Sequence, residues 1–214
     1  MKQIFIFGSS STYGVGGTKG GWSGLLKEKL HTKMYGENGI GEKMEVFNFG
    51  KSGATIDLVQ NTYQKQLETY GRDAEKIILL NVGGNNAKAV NEPDNYVSEP
   101  EDYRKEIHSL LANMKDDVDH IFFVEGGYYD EKKVYPKQSP FGNSVSYFSN
   151  ERKQLFNQVT KDICNDLGIT YIPVEVSQEE WIEKYIYEDG LHANDDGYEY
   201  IFTNLWKHLE PLLN

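Results

Sequence analysis

Near the end of the chain an aspartate and a histidine stand three residues apart in Asp189-Gly190-Leu191-His192, followed by Ala193-Asn194-Asp195-Asp196-Gly197. A carboxylate and an imidazole so placed, just ahead of a helix, can form a general base and the group that orients it. Such a pair needs a nucleophile to deprotonate and donors to receive the oxyanion that results. Three other polar clusters supply candidates. Ser9-Ser10-Ser11-Thr12-Tyr13-Gly14 offers a hydroxyl at Ser10, Ser52-Gly53-Ala54-Thr55 a free backbone N–H at Gly53, and Gly83-Gly84-Asn85-Asn86 a carboxamide at Asn85.

The elements between these clusters decide whether they can meet. Ile4-Phe5-Ile6-Phe7, Val46-Phe47-Asn48-Phe49, Ile77-Ile78-Leu79-Leu80-Asn81-Val82, Ile121-Phe122-Phe123-Val124 and Ile169-Thr170-Tyr171-Ile172 are short apolar runs that read as buried strands. Helical spacing recurs between them. It falls over about 22–32, from Ile56 through Val59, Tyr63 and Leu67, and from Ile107 to Met114 behind a capping box at Ser98 and Glu101. A fourth helix opens at Asn150 with Leu155, Val159 and Ile163 inward and Gly168 as its stop, and the last runs from Asp195 to Leu213. Strands alternating with helices predict an α/β fold, a five-stranded parallel sheet covered on both faces. No repeat or linker interrupts it, so one domain over 1–214 is expected.

In such a sheet ligands bind beyond the carboxyl ends of the strands, where the strand order reverses. Ser10, Gly53 and Asn85 each follow a strand, and Asp189 and His192 follow the fifth. Acyl transfer uses these parts. His192 takes the Ser10 proton during attack and later gives it to the leaving alcohol, while Asp189 fixes the tautomer. The backbone N–H groups of Ser10 and Gly53 and the Asn85 amide would hold the oxyanion, where one donor is typically worth about 10²–10³ in rate.

These four blocks, in this order, resemble those of the SGNH (GDSL-type) hydrolases. The resemblance implies a three-layer α/β/α sandwich of flavodoxin-like topology, with Ser10 as nucleophile and Asp189 and His192 completing the triad. It implies Ser10, Gly53 and Asn85 as oxyanion donors, and a serine esterase cleaving a small or medium carboxylic ester through an acyl-Ser10 intermediate. Two positions depart from the family's pattern. Ser9 stands where an aspartate usually precedes the nucleophile, and Asn86 where one usually follows the oxyanion asparagine; hydrogen-bonding Ser and Asn can still brace these loops.

A second reading stays open, a non-catalytic or phosphate- or FMN-binding module on a flavodoxin-like fold, since serine-rich loops can cradle phosphate. It leaves Asn85 and the Asp189/His192 pair without a task. The stretch 126–149 reads as irregular, yet it holds Tyr128, Tyr129, Tyr135, Phe141, Tyr147 and Phe148, too many aromatics for a disordered linker. It is expected to be an ordered loop and a candidate lid. Trp22, Tyr128 and Tyr147 are candidate substrate-binding residues, an aromatic wall suited to a sugar or aryl group.

The remaining features exclude more than they specify. The 36–43 stretch superficially suggests a phosphate loop but lacks its Gly-Lys-Ser/Thr ending, and no dinucleotide fingerprint is complete. His31, His108, His120 and His208 show no metal-ligand spacing, so neither metal nor cofactor is expected. A net charge of −11 argues against a nucleic-acid partner. No apolar run approaches the roughly 18 residues of a membrane span. One cysteine, Cys164, expected to be a buried thiol, and an N-terminus without signal-peptide character together predict a cytoplasmic protein acting on a small-molecule ester. The oligomeric state is not encoded in any pattern here.

Overall fold

The computed structural model describes residues 1–36 and 42–213. Residues 37–41, inside the stretch that superficially suggests a phosphate loop, lie outside the described residues, as does Asn214. The apolar runs form five parallel strands: β1 (Lys2–Gly8), β2 (Met44–Gly50), β3 (Glu75–Asn81), β4 (His120–Val124) and β5 (Thr170–Ile172). Their order is β2-β1-β3-β4-β5, so the winding direction reverses between β1 and β3. Gly8 is in register with both Gly50 and Asn81, which ends the three strands level at one rim beside that reversal.

Alternation along β1 sorts the two faces. Phe5 and Phe7 enter one core with helices α2 (Ile56–Tyr70), α3 (Pro100–Asp117) and α4 (Asn150–Leu167). Ile4 and Ile6 enter the other with α1 (Gly21–Tyr35) and α5 (Asp195–Leu209). Both cores contain strand residues that are fully buried, as continuous apolar runs require. The result is a three-layer α/β/α sandwich with a five-stranded parallel sheet. Among the described residues no helix is long and apolar enough to cross a membrane.

Several helix ends follow local chemistry. Gly168 closes α4 in the left-handed conformation at φ 68°, and the Asn194 side chain caps α5 by accepting the Gly197 N–H at 2.9 Å. The capping box expected at Ser98 and Glu101 does not form. Pro100 opens α3 with Glu99 ahead of it, and the Ser98 hydroxyl is taken instead by the Asn86 side chain at 3.0 Å. Leu155 does not face inward as expected. It is 47% exposed, while Phe156 is buried, because the inward stripe of α4 runs through Phe156, Val159, Thr160 and Ile163. One residue of offset turns a helical side chain by about 100°.

The 126–149 stretch is not irregular. It contains a helical turn at Glu131–Val134 and strands Lys137–Gln138 and Val145–Tyr147, which pair antiparallel with each other and with Ala89–Val90. This small sheet stands over the rim where β1 and β3 end.

Candidate active site

β1 delivers Ser10 through a tight turn. Gly8 has φ 154°, and a Cβ there would meet the Asn81 carbonyl oxygen and the Thr12 hydroxyl at 2.2 Å, so only glycine fits. The Ser9 N–H then donates to the Asn81 carbonyl at 3.2 Å, and Ser10 begins a short helical turn, Ser10–Tyr13. As first residue of that turn Ser10 has no helical acceptor for its N–H. Asn81 braces this corner from β3, with its Nδ2 donating to the Val124 carbonyl at 2.7 Å. It is a polar residue inside an apolar run, and that anomaly was the signal in the sequence.

Asp189 and His192 sit on the loop between β5 and α5. Gly190 takes φ 71°, which lets the chain fold back so that Asp189 Oδ1 accepts the N–H groups of Leu191 at 2.8 Å and His192 at 3.0 Å. Asp189 Oδ2 meets His192 Nδ1 at 2.6 Å, and His192 Nε2 meets Ser10 Oγ at 2.8 Å. Burial acts to raise the Asp189 carboxyl, but the His192 ring and the two backbone N–H groups outweigh it and hold the carboxyl well below the usual range. His192 as a whole residue is 8% exposed. Three hydrogen bonds tie the first turn of α5, just after this loop, to the Ser10 segment: the Tyr198 hydroxyl donates to the Val15 carbonyl at 2.6 Å, and Asp195 accepts both the Thr18 N–H and its hydroxyl.

The other two segments arrive beside Ser10. Gly53 has φ 81°, a Cβ there would meet no atom within 4 Å, and the residue lines the open cleft. Its N–H has no acceptor among the described residues. Asn85 donates one amide hydrogen to the Ala54 carbonyl at 3.1 Å, which leaves the second for a ligand. Asn86 points the other way. It is buried, its Oδ1 accepts the Ile56 N–H at the start of α2 at 3.1 Å, and its Nδ2 binds Ser98.

Two concavities meet at Ser10. An open cleft of about 480 Å³ runs beneath the small sheet, touching Ser10, Gly53, Asn85 and His192 and bounded by Phe141, Phe148 and Leu191. A narrower pocket of about 60 Å³ lies inward, reaching Tyr128, Lys153 and Trp181. Lys153 is buried, donates to the Gly127 carbonyl and sits 4.2 Å from the Tyr129 ring centre; burial pulls its ammonium down to about 8.

The aromatic wall is only partly realised. Tyr128 lines the inner pocket, but Trp22 is 0% exposed in the core beneath α1 and lines neither concavity. Tyr147 lines neither concavity and packs on Tyr135 at 5.1 Å. Successive strand residues face opposite sides, and it is Ser146 and Phe148 that face the cleft. Phe148 stood out in the sequence only as one of the aromatics of 126–149, and Lys88 and Lys137, which also line the cleft, carried no sequence signal. Among the described residues no group of three or more His, Cys, Asp or Glu side chains is arranged to hold a metal ion. Cys164 is buried, its thiol pushed up by burial to about 12.

The GDSL-like Lipase/Acylhydrolase family model matches residues 6–200. The chain belongs to that family. As a GDSL-like lipase/acylhydrolase it is a hydrolase acting on ester bonds. No curated protein matches it. Among solved structures it is similar to the lipase/acylhydrolase from Enterococcus faecalis, at 16% identity and TM-score 0.70 over 100% of this chain and 98% of that one. An alpha/beta hydrolase enzyme from the metagenome of Lake Arreo, Spain, is 18% identical with TM-score 0.68 over 99% and 96%. An acetylxylan esterase from Geobacillus stearothermophilus is 16% identical with TM-score 0.66 over 97% and 93%. At these identities the likeness shows the fold.

Proposed function

We propose that this GDSL-like hydrolase is a serine esterase that cleaves a small or medium carboxylic ester through an acyl-Ser10 intermediate. The observation that carries the reading is the hydrogen-bond chain Asp189 Oδ2 to His192 Nδ1 and His192 Nε2 to Ser10 Oγ, at 2.6 and 2.8 Å. His192 removes the Ser10 proton as Oγ attacks the ester carbonyl. The tetrahedral oxyanion is received by the N–H groups of Ser10 and Gly53 and the free amide hydrogen of Asn85. His192 returns the proton to the departing alcohol, and the Ser10 ester is then hydrolysed by water, which His192 deprotonates in turn. Asp189 stays ionised throughout and stabilises the imidazolium, in keeping with its strongly lowered pKa.

The same contacts weigh against a phosphate- or FMN-binding module. The Ser10 hydroxyl is committed to a histidine rather than open as a phosphate ligand, and no cofactor enters the chemistry. The cleft volume suits a small-molecule ester, within the roughly 300–1,000 Å³ of typical ligand sites. Action in the cytoplasm is part of the proposal, supported by a single, buried cysteine. Purified protein should hydrolyse p-nitrophenyl acetate, and Ser10→Ala should abolish that turnover. Turnover undiminished in Ser10→Ala would refute the nucleophile.

A further inference from the structure

We propose that the ester taken by this site carries an anionic group, a carboxylate or phosphate, held in the cleft by the ammonium groups of Lys88 and Lys137. The inference rests on the esterase reading and adds the substrate class. The chain as a whole has 33 Asp and Glu against 22 Lys and Arg. The two concavities that meet at Ser10 reverse that balance. Lys88, Lys137 and Lys153 line them, and among the described residues that do so the one carboxylate is Asp189, already bound to His192. Ser9 and Asn86 add no charge beside it.

Lys153 has a structural explanation in Gly127, Tyr129 and the nearby Glu125. The other two have only neutral partners among the described residues. Lys88 is half-buried and lies 5.5 Å from the Phe148 ring centre, with no carboxylate in ion-pair distance among the described residues. Lys137 donates to the Asp189 backbone carbonyl at 2.6 Å, a neutral partner that leaves two of its three N–H groups unused. A partly desolvated cation without a counter-charge is costly, and a ligand anion removes that cost. A cleft lined by one sign of charge also concentrates ligands of the other sign, by roughly 10–10³-fold.

The test compares three acetate esters, neutral 4-acetoxybenzamide, 4-acetoxybenzoate and 4-acetoxyphenyl phosphate, each normalised to its rate of spontaneous alkaline hydrolysis. At low salt kcat/KM for one or both anionic esters should exceed that for the amide by about tenfold or more, chiefly through KM. Which of the two leads tells carboxylate from phosphate. The preference should collapse at high salt and in Lys88→Gln, and return in Lys88→Arg. Lys88 is the residue to change because Lys137 also holds the Asp189 backbone. Equal constants for neutral and anionic esters, or a preference that survives in Lys88→Gln, would overturn the inference and leave the esterase standing. Hydrolysis of none of the three would overturn the esterase reading itself.

Discussion

Asp189 grips His192 by ring and backbone at once, Oδ2 to Nδ1 at 2.6 Å and Oδ1 to the N–H at 3.0 Å. One carboxylate thereby sets both the tautomer of the imidazole and the fold of the loop that carries it. Asp189→Asn should keep the loop but present the wrong tautomer, with a loss of kcat on the order of 10⁴-fold. The same substitution should alter acid stability. The folded-state pKa of Asp189 lies below its unfolded value, so its stabilisation is present above about pH 4 and is lost as pH falls further. Urea denaturation from neutral pH down to pH 3 checks this: the gap between wild type and Asp189→Asn should narrow below about pH 4.

Asn85 and Asn86 are chain neighbours with opposite tasks. Asn85→Ala removes a proposed oxyanion donor and should lower kcat by about 10²–10³ with little change in melting temperature. Asn86→Ala strips the buried partner of Ile56 and Ser98 and should destabilise the fold by about 1–3 kcal/mol. Paired activity and thermal-melt measurements on the two variants separate the roles. Loss of activity without loss of stability in Asn86→Ala would contradict them.

Lys153 offers a second pH signature. Its folded-state pKa of about 8 is below the unfolded value, so the unfolded chain binds more protons between the two. Wild type should therefore gain stability relative to Lys153→Met as pH rises from about 8 toward 10.4. The difference between the two proteins is the quantity to measure, because Cys164 and several buried tyrosines are shifted upward and act oppositely in both.

Much of the architecture could be read from the chain because parallel strands buried on both faces leave continuous apolar runs, and Ile77 to Leu80 is such a run. The site blocks were legible for a related reason: each follows a strand, and parallel strands must all end at one rim. What could not be read depends on contacts between distant segments. Trp22 and Tyr128 are both large aromatics, and only packing sends one beneath α1 and the other into a pocket. Ser98 has the right spacing for a capping box, yet Asn86 claims its hydroxyl. Tyr147 ends a strand of three residues and Phe148 follows it, a strand too short for alternation to show which of the two faces the cleft. Lys88 and Lys137 have no carboxylate in ion-pair distance among the described residues, a property of the fold that no local pattern displays.

The central claim is that Ser10 is the nucleophile, and three consecutive serines make the claim sharp. A fluorophosphonate probe followed by intact mass and peptide mapping tests it most directly. A single adduct on Ser10, retained in Ser9→Ala and Ser11→Ala and absent in Ser10→Ala, is the expected result. Labelling that persists in Ser10→Ala, or an enzyme that hydrolyses esters while Ser10 stays unmodified, would contradict it.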